Sequence, residues 1–386
     1  MAGTTLGAYN IADLRELAKK RLPRGLFEFM DRGCEDEVSL RNNRAAFERI
    51  KLKPRVLNDV SKRDQSITLF GQKQNMPIAI APTGTPGIMW YEGELELARA
   101  AKKAGIPFTL ATTTLTAMER IVDEVGGRLW FQLYMYADRS LSRWIAERAK
   151  NAGYEALIMT VDSPTFSNRE YNLRNGFTIP VTYSAKNIVD VLSHPRWMLG
   201  VWLRYLLEGG LPLFENYPPE VKARVKAAPM GRAMKLNDAL NWDDVREMRK
   251  LWPRTLMIKG VLSPADAAIA ADCGVDGVVV SNHGGRVVDG AVAPIEMLPA
   301  MLDAVGKRMT VIVDSGFRRG SDVVKAMALG AHAVLVGRAT LYGVAAAGEP
   351  GARHALQILQ NEIDRTMGML GRRSFDEIDE KILHRA

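Results

Sequence analysis

Cysteines and long apolar runs are both scarce in this 386-residue sequence. The two cysteines, Cys34 and Cys273, form neither a disulfide framework nor a metal-ligand spacing, so we expect a reducing, cytoplasmic compartment and no metal site. No stretch reaches the roughly eighteen consecutive apolar residues that a membrane-spanning helix needs. The segment Met1–Lys20 includes Asp13 and Glu16 and lacks an apolar core, which argues against a signal peptide.

Aromatic residues are also few, at 7% of the chain, while basic residues exceed acidic ones and give a formal net charge of +8. The basic residues are scattered and come with no aromatic platform or zinc module, so we expect no nucleic-acid partner. An anionic substrate, a phosphate-bearing cofactor or an anionic membrane surface would each account for the positive charge.

Short apolar runs alternate with amphipathic stretches from Met76 onward. The predicted strands are Pro77–Ala81, Phe108–Ala111, Leu129–Leu133, Ala156–Val161, Thr255–Ile258, Gly277–Val280, Thr310–Val313 and Ala333–Val336. The predicted helices between them include Leu95–Ala104, Ser140–Ala152, Pro264–Ala271 and Ser321–Ala328. This alternation predicts an α/β fold, a (β/α)₈ barrel. A doubly wound sheet competes with it, but the turn Ala81–Gly84 is not the glycine-rich dinucleotide fingerprint which that fold would need.

We expect one domain, in which residues 1–75 form an N-terminal helical cap, residues 76–345 the barrel and residues 346–386 a C-terminal helical segment. The predicted cap helices are Ile11–Arg21 and Gly25–Asp31.

Residues 175–238 form an insertion after the fourth predicted strand. It is far longer than an ordinary strand-to-helix connection, so it is a lid, a docking element or a disordered segment. Within it, residues 194–210 mix aromatic, aliphatic and arginine side chains, as in helices that lie on a membrane surface. A helix packed on the barrel or on another subunit explains this composition equally well.

One segment follows the sixth predicted strand and carries the strongest chemical signal: Ser281-Asn282-His283-Gly284-Gly285-Arg286. A histidine just beyond the carboxyl end of a buried strand lies where α/β barrels place their chemistry. The glycines let a planar group approach the backbone, and Arg286 can bind a carboxylate.

Other predicted strand ends add polar groups to the same face. Asp162 follows the fourth strand and can orient His283, although an aspartate there could instead cap a helix at Ser163-Pro164. Lys259 ends the fifth strand, where it can stabilise negative charge on a reduced ring cofactor. A Schiff-base lysine, as in pyridoxal-phosphate enzymes or aldolases, is the alternative.

The last two predicted strands are each followed by a glycine-rich segment, Asp314–Gly320 and Gly337-Arg338. Such loops and the helix N-termini behind them form the phosphate site common in these barrels. Arg318 and Arg338 would add positive charge to it.

Together these motifs resemble the FMN-dependent L-2-hydroxy acid dehydrogenases and oxidases, over about Ile11 to Leu370. Within that family the chain is most similar to the membrane-associated (S)-mandelate and flavin-type L-lactate dehydrogenases. The motifs that carry the resemblance are Leu22-Pro23, Ala81–Gly84, Phe131–Tyr134, Thr160–Asp162, Lys259-Gly260, Ser281–Arg286, Asp314–Gly320 and Gly337-Arg338.

The resemblance implies a role for each matching residue. His283 is the catalytic base and Asp162 its partner, while Tyr134 lies near the substrate hydroxyl. Arg286 and Arg169 bind the substrate carboxylate. The residues expected to hold FMN are Pro82, Thr83, Gly84, Gln132, Thr160, Lys259, Ser281, Asp314, Gly316, Arg318, Gly337 and Arg338. A homotetramer is implied as well.

Two positions depart from the family pattern. Phe29 stands where relatives have a tyrosine that hydrogen-bonds the carboxylate, which favours a substrate with a larger or aromatic side chain, or a modified substrate. Ala111 replaces a serine near the flavin, and Thr112 or Thr113 could take its place.

Gly84 is common in dehydrogenases, so we expect a quinone or an electron-transfer protein as acceptor rather than oxygen. An oxygen-using oxidase, another FMN barrel and a non-catalytic flavin-binding protein stay open as alternatives.

Overall fold

A computed structural model of the chain describes residues 6–176, 184–222 and 235–385. The parts of the predicted insertion at residues 177–183 and 223–234 lie outside the described residues. Among the described residues, no helix is long and apolar enough to cross a membrane.

Eight parallel strands close into a barrel, as predicted. They are β1 (Ile78–Ile80), β2 (Phe108–Ala111), β3 (Leu129–Tyr134), β4 (Ala156–Thr160), β5 (Thr255–Val261), β6 (Gly277–Val280), β7 (Thr310–Val313) and β8 (Ala333–Val336). Their β-branched and apolar residues are buried because parallel strands pack against the barrel interior on one face and against helices on the other. Only β5 runs well past its predicted end, because the chain continues through a bulge between Lys259 and Val261.

Inside the barrel a separate apolar cluster fills the axis. Trp130, Ile158 and Met257 belong to it, and Leu69 closes it from a short hairpin of strands Ile67–Leu69 and Gln72–Gln74. The barrel is therefore a packed core with its open face at the carboxyl ends of the strands.

The predicted helices are confirmed to within two residues at their ends. The helices around the barrel are Gly93–Ala104, Met118–Glu124, Arg139–Asn151, Trp242–Leu251, Pro264–Asp272, Pro294–Val305, Gly320–Ala328 and Arg338–Met369, the last with a kink at Ala347 and Gly348. The cap contributes Ile11–Arg21, Arg24–Asp31 and Val38–Arg49. The described residues also include shorter elements: Ile50–Leu52 paired with Leu383–Arg385, Glu170–Arg174, Ala185–Leu192, and turns at Pro86–Ile88, Gly306–Arg308, Phe375–Glu377 and Glu380–Ile382.

The predicted amphipathic segment of the insertion is helical over Pro195–Glu208, with π-helical hydrogen bonding at Met198–Leu203. One face packs inward, where Trp197 is buried and its indole N–H donates to the carbonyl of Ile88 at 2.8 Å. The other face leaves Leu207 78% exposed. This helix therefore packs on the barrel through one face, while its other face presents apolar side chains to the surroundings.

Candidate active site

The carboxyl ends of the strands surround a cavity of about 1160 Å³, called here the active-site cavity. Most of the residues predicted to form the site line it: Phe29, Pro82, Thr83, Gly84, Gln132, Tyr134, Thr160, Arg169, Lys259, His283, Arg286, Asp314, Gly316, Arg318, Gly337 and Arg338. The other two, Asp162 and Ser281, hydrogen-bond to residues of this lining. The fold thus brings together residues from the cap and from every strand end.

His283 is held between a carboxylate and a phenol. Its Nδ1 atom lies 3.0 Å from Oδ1 and 3.1 Å from Oδ2 of Asp162, and its Nε2 atom lies 3.5 Å from the hydroxyl of Tyr134. Because an ionised carboxylate only accepts hydrogen bonds, Nδ1 must carry the proton. Nε2 is then left as the basic nitrogen.

The electrostatics of this pair favour a neutral imidazole beside a charged carboxylate. Burial alone would raise the pKa of Asp162, but the charges of His283 and Lys259 outweigh it and lower that pKa to about 2. Burial lowers the pKa of His283 below its ordinary 6.5, against the opposing effect of Asp162. Near neutral pH, His283 can therefore accept a proton, and Asp162 can stabilise the resulting imidazolium.

The competing interpretation of Asp162 as a helix cap is wrong. The next helix begins only at Glu170, eight residues after Asp162. The Asp162 carboxylate instead accepts hydrogen bonds from His283 and, at 3.1 Å, from the hydroxyl of Ser163. The chain passes close behind it at Gly260, which has a φ of +103° and where a Cβ would come within 2.5 Å of the Asp162 side chain. Glycine is therefore required there.

Two arginines approach each other in the cavity wall beside Phe29. Arg286 donates from Nη1 to the carbonyls of Phe29 at 2.8 Å and Arg32 at 2.9 Å, and its guanidinium lies 5.5 Å from the Phe29 ring centroid. Arg169 donates to the carbonyl of Arg286 at 3.4 Å. Burial and the charge of Arg286 lower the pKa of Arg169 to about 10. Two like charges in this partly buried wall favour an anion between them, such as a carboxylate.

Lys259 lies deep in the wall, with its Nζ atom 3.0 Å from the Ser281 hydroxyl and 3.4 Å from a carboxylate oxygen of Asp314. Burial alone would lower its pKa, but Asp314 and Asp162 outweigh this effect and raise it. The amine is therefore protonated, which suits stabilisation of an anionic ring and argues against a Schiff base, since that requires a neutral amine. Nearby, the amide of Gln132 donates to the Thr160 hydroxyl at 3.0 Å.

The loops after β7 and β8 are shaped by close contact with the cap. Gly316 has a φ of +87°, and a Cβ there would come within 2.6 Å of the Asn43 carbonyl. Helix Arg338–Met369 begins just beyond the loop after β8, so its N-terminus directs backbone N–H groups toward this edge. A phosphate group fits this arrangement. At the start of helix Gly320–Ala328, by contrast, the N–H groups of Arg318 and Arg319 donate to Asp322, and that of Gly320 donates to Glu362.

Arg338 differs in part from its predicted role. Its guanidinium donates to the carbonyls of Met30 at 3.1 Å, Gly284 at 2.8 Å and Arg32 at 2.9 Å. The side chain therefore joins the cap to the His283 turn. Its backbone N–H at the helix N-terminus is the part suited to a phosphate, while Arg318 keeps its guanidinium at the cavity beside the Tyr342 ring.

The sequence profile of FMN-dependent dehydrogenases matches residues 18–385. The chain belongs to this FMN-dependent dehydrogenase family. It is 43% identical over 365 residues to the (S)-mandelate dehydrogenase of Pseudomonas putida, covering 94% of this chain and 90% of the relative. The L-lactate oxidase of a Nostoc species is 38% identical over 382 residues, covering 97% and 98%.

Among solved structures, one described as the monotopic membrane protein (S)-mandelate dehydrogenase superposes with a TM-score of 0.92 at 41% identity. The match covers 98% of this chain and 100% of the solved chain. The predictions of a (β/α)₈ barrel and of an FMN-dependent oxidoreductase are confirmed.

The residues of this FMN-dependent dehydrogenase fit its cofactor. Lys259 is charged and buried where a ring can lie, and the helix N-terminus beyond β8 suits a ribityl phosphate. Ala111 lines the cavity, whereas Thr112 turns its hydroxyl to the carbonyl of Gln132 at 2.6 Å. Thr113, which also lines the cavity, is the better placed of the two threonines to replace the missing serine.

Part of the site escaped prediction from the sequence. Tyr136, Tyr217 and Phe214 line the cavity, and the hydroxyls of the two tyrosines lie 2.7 Å apart. Tyr136 follows Tyr134 at the spacing of two that places strand side chains on one face, which is a usable signal. Tyr217 and Phe214 come from the insertion, where no periodic pattern marks them.

Proposed function

We propose that the protein oxidises an L-2-hydroxy acid to the 2-oxo acid in an FMN-dependent reaction. The observation that carries this proposal is the pair formed by His283 and Asp162, which shares one cavity with the partly buried side chains of Arg169 and Arg286. The names of the relatives support the same substrate class, since mandelate and lactate are both 2-hydroxy acids.

In this reaction Arg286 and Arg169 bind the substrate carboxylate and orient the carbon that carries the hydroxyl. The Nε2 atom of His283 takes one proton from the substrate, and Asp162 stabilises the imidazolium. Tyr134 stays protonated, because burial and the charge of Asp162 raise its pKa, so it can hydrogen-bond the substrate oxygen. FMN, when bound, would take up the two electrons and the second proton that leave the substrate.

The substrate side chain is proposed to be large and apolar, preferably aromatic. Phe29 supplies a phenyl ring at the carboxylate end, and Leu26 and Met30 of the same helix also line the cavity. A short polar side chain would leave this apolar wall in contact with water.

Anaerobic mixing with a panel of L-2-hydroxy acids tests this function. Wild-type protein should bleach at the flavin band with mandelate-like acids, and more slowly with lactate. His283→Gln should lose roughly 100- to 10,000-fold in flavin reduction while FMN stays bound. His384→Gln changes an exposed histidine outside the cavity and should behave as wild type. Full-rate reduction by His283→Gln would exclude the proposed base.

For the electron acceptor we propose a membrane quinone, with the protein bound peripherally at the cytoplasmic face through residues 194–210. The exposed side chains of Ile188 and Leu192 are part of the cavity lining, so the apolar surface of the insertion continues into the site. An acceptor dissolved in lipid could enter along this surface. Flavin reoxidation by a short-chain quinone, compared with reoxidation in air, distinguishes this acceptor from oxygen.

The homotetramer expected from the family resemblance stays a prediction. Light scattering coupled to size-exclusion chromatography would measure it directly.

A further inference from the structure

Two buried asparagines join the N-terminal cap to the turn that carries His283. The Asn43 amide donates to Oδ1 of Asn282 at 2.9 Å, and the Asn282 amide donates back to Oδ1 of Asn43 at 2.7 Å. The side chains are 1% and 4% exposed, so neither amide can exchange its partner for bulk water. The two residues are 239 positions apart in the sequence.

Asn282 makes two further hydrogen bonds, one across the turn and one to the chain that follows it. Its Oδ1 atom also accepts from the backbone N–H of Gly285 at 3.0 Å, and its amide donates to the carbonyl of Val292 at 3.1 Å. Between these anchors His283 adopts a φ of +56°. This left-handed conformation is unfavourable for a residue with a Cβ, so it persists only where the surroundings impose it.

The helix that carries Asn43, Val38–Arg49, is itself firmly placed. Arg44 donates to the carbonyl of Gly316, and it lies 2.5 Å from a carboxylate oxygen of Asp322. On the other side, a Cβ at Gly285 would come within 2.7 Å of the Leu40 backbone nitrogen. The helix is therefore wedged between the His283 turn and the loop after β7.

We propose that Asn43 is a positioning residue for catalysis, acting through Asn282 to hold the His283 turn. The imidazole then keeps Nδ1 on Asp162 and Nε2 toward the cavity. The proposal rests on the proposed role of His283 as base. It gives the cap helix a part in the reaction, although Asn43 is not among the cavity-lining residues that the structure describes.

Asn43→Ala removes one side of the amide pair. We expect flavin reduction to slow by about 10- to 100-fold, because a displacement near 1 Å at the base is enough for such a loss. FMN affinity and the dissociation constant of a non-reacting substrate analogue should stay close to wild type. Asn42→Ala is the matched control, since Asn42 is on the same helix and pairs with Glu296 at the surface. If Asn43→Ala is insoluble, Asn43→Asp keeps the size and removes the donor.

The decisive measurement combines each Asn43 variant with His283→Gln. If Asn43 acts through the base, the double variant should reduce flavin no more slowly than His283→Gln alone. Additive losses, a wild-type rate in the Asn43 variants, or a loss confined to FMN binding would each overturn the proposal. Failure of the proposed function is distinguishable, because His283→Gln alone would then keep the wild-type rate.

Discussion

The carboxylate of Asp162 lies 3.0 Å from Nδ1 of His283 and joins the end of β4 to the end of β6. The pair leaves Nε2 as the basic atom and leaves Asp162 ionised, with a pKa of about 2. Protonation of His283, whose pKa lies below 6.5, should therefore limit the reaction on the acidic side of neutral pH.

Asp162→Asn should slow flavin reduction by about 100-fold or more, because the imidazolium loses its counter-charge. The pH dependence should change as well. In the wild type, kcat/KM should fall as the pH drops through a His283 pKa that burial keeps below 6.5. Asp162 opposes that lowering, so its replacement should move the acidic limb to still lower pH. A limb that moves to higher pH would contradict this account.

Much of the barrel follows from local sequence. Parallel strands buried on both faces appear as short, continuous apolar runs, and Gly277–Val280 and Ala333–Val336 were predicted with their observed ends. β5 was predicted too short because Gly260 interrupts the apolar run, although the strand continues past it through a bulge. Its positive φ is compatible only with glycine, and such a residue looks like a strand end in the sequence.

The site was predictable where a side chain acts beside its own strand end, as His283 and Lys259 do. It was not predictable where the partner comes from a distant part of the chain. Arg338 looked like a phosphate ligand, but its acceptors Met30 and Arg32 are 308 and 306 residues away. Asn43 gave no signal at all, since its partner is known only once the cap helix is placed on the barrel.

Phe29→Tyr tests the proposed substrate preference. A phenol at this position could add a hydrogen bond to a charged carboxylate beside Arg286, which is worth up to about 10- to 100-fold in affinity. We expect the KM for lactate to fall, with a smaller change for mandelate. Phe29→Leu is the control, because it removes the ring beside Arg286 without adding a hydroxyl. Equal KM values for lactate in wild type and Phe29→Tyr would show that Phe29 does not contribute to substrate choice.

Lys259→Met tests stabilisation of the reduced cofactor. The residue Lys259 is 3% exposed, and its ammonium group is charged. Loss of this buried charge should disfavour an anionic reduced ring. We expect the two-electron midpoint potential of bound FMN to fall by about 30 mV for each tenfold loss of this stabilisation. Lys381→Met, at a side chain that is 88% exposed, serves as control. An unchanged potential would assign Lys259 a purely structural role.

Arg338→Lys tests the junction between the cap and the barrel. A single ammonium cannot reproduce the planar fork that meets three carbonyls, so the variant should lose about 2–3 kcal/mol of stability. Thermal unfolding should show a lower midpoint, accompanied by earlier FMN release. Arg308→Lys, at a surface ion pair with Asp272, should change stability by less than about 0.5 kcal/mol. Equal midpoints for the two variants would contradict this role.

The insertion helix offers a direct test of membrane binding. Deleting residues 193–210 would also remove buried Trp197 and its bond to Ile88, so loss of binding in such a variant would be ambiguous. Replacing only the outer face avoids this, because Leu199 is 55% and Leu207 is 78% exposed. Leu199→Glu combined with Leu207→Glu should release the protein from anionic vesicles in a flotation assay, while FMN content and flavin reduction stay unchanged.

The matched control for the leucine variant is Val56→Glu combined with Leu57→Glu. These residues form another exposed apolar pair, 79% and 101% exposed, in a different surface loop. If vesicle binding depends on the insertion, the control should float with the vesicles as the wild type does. Equal release of both double variants would mean that general surface charge governs the association with vesicles. If the wild type itself does not bind vesicles, the insertion helix is a packing element of the barrel.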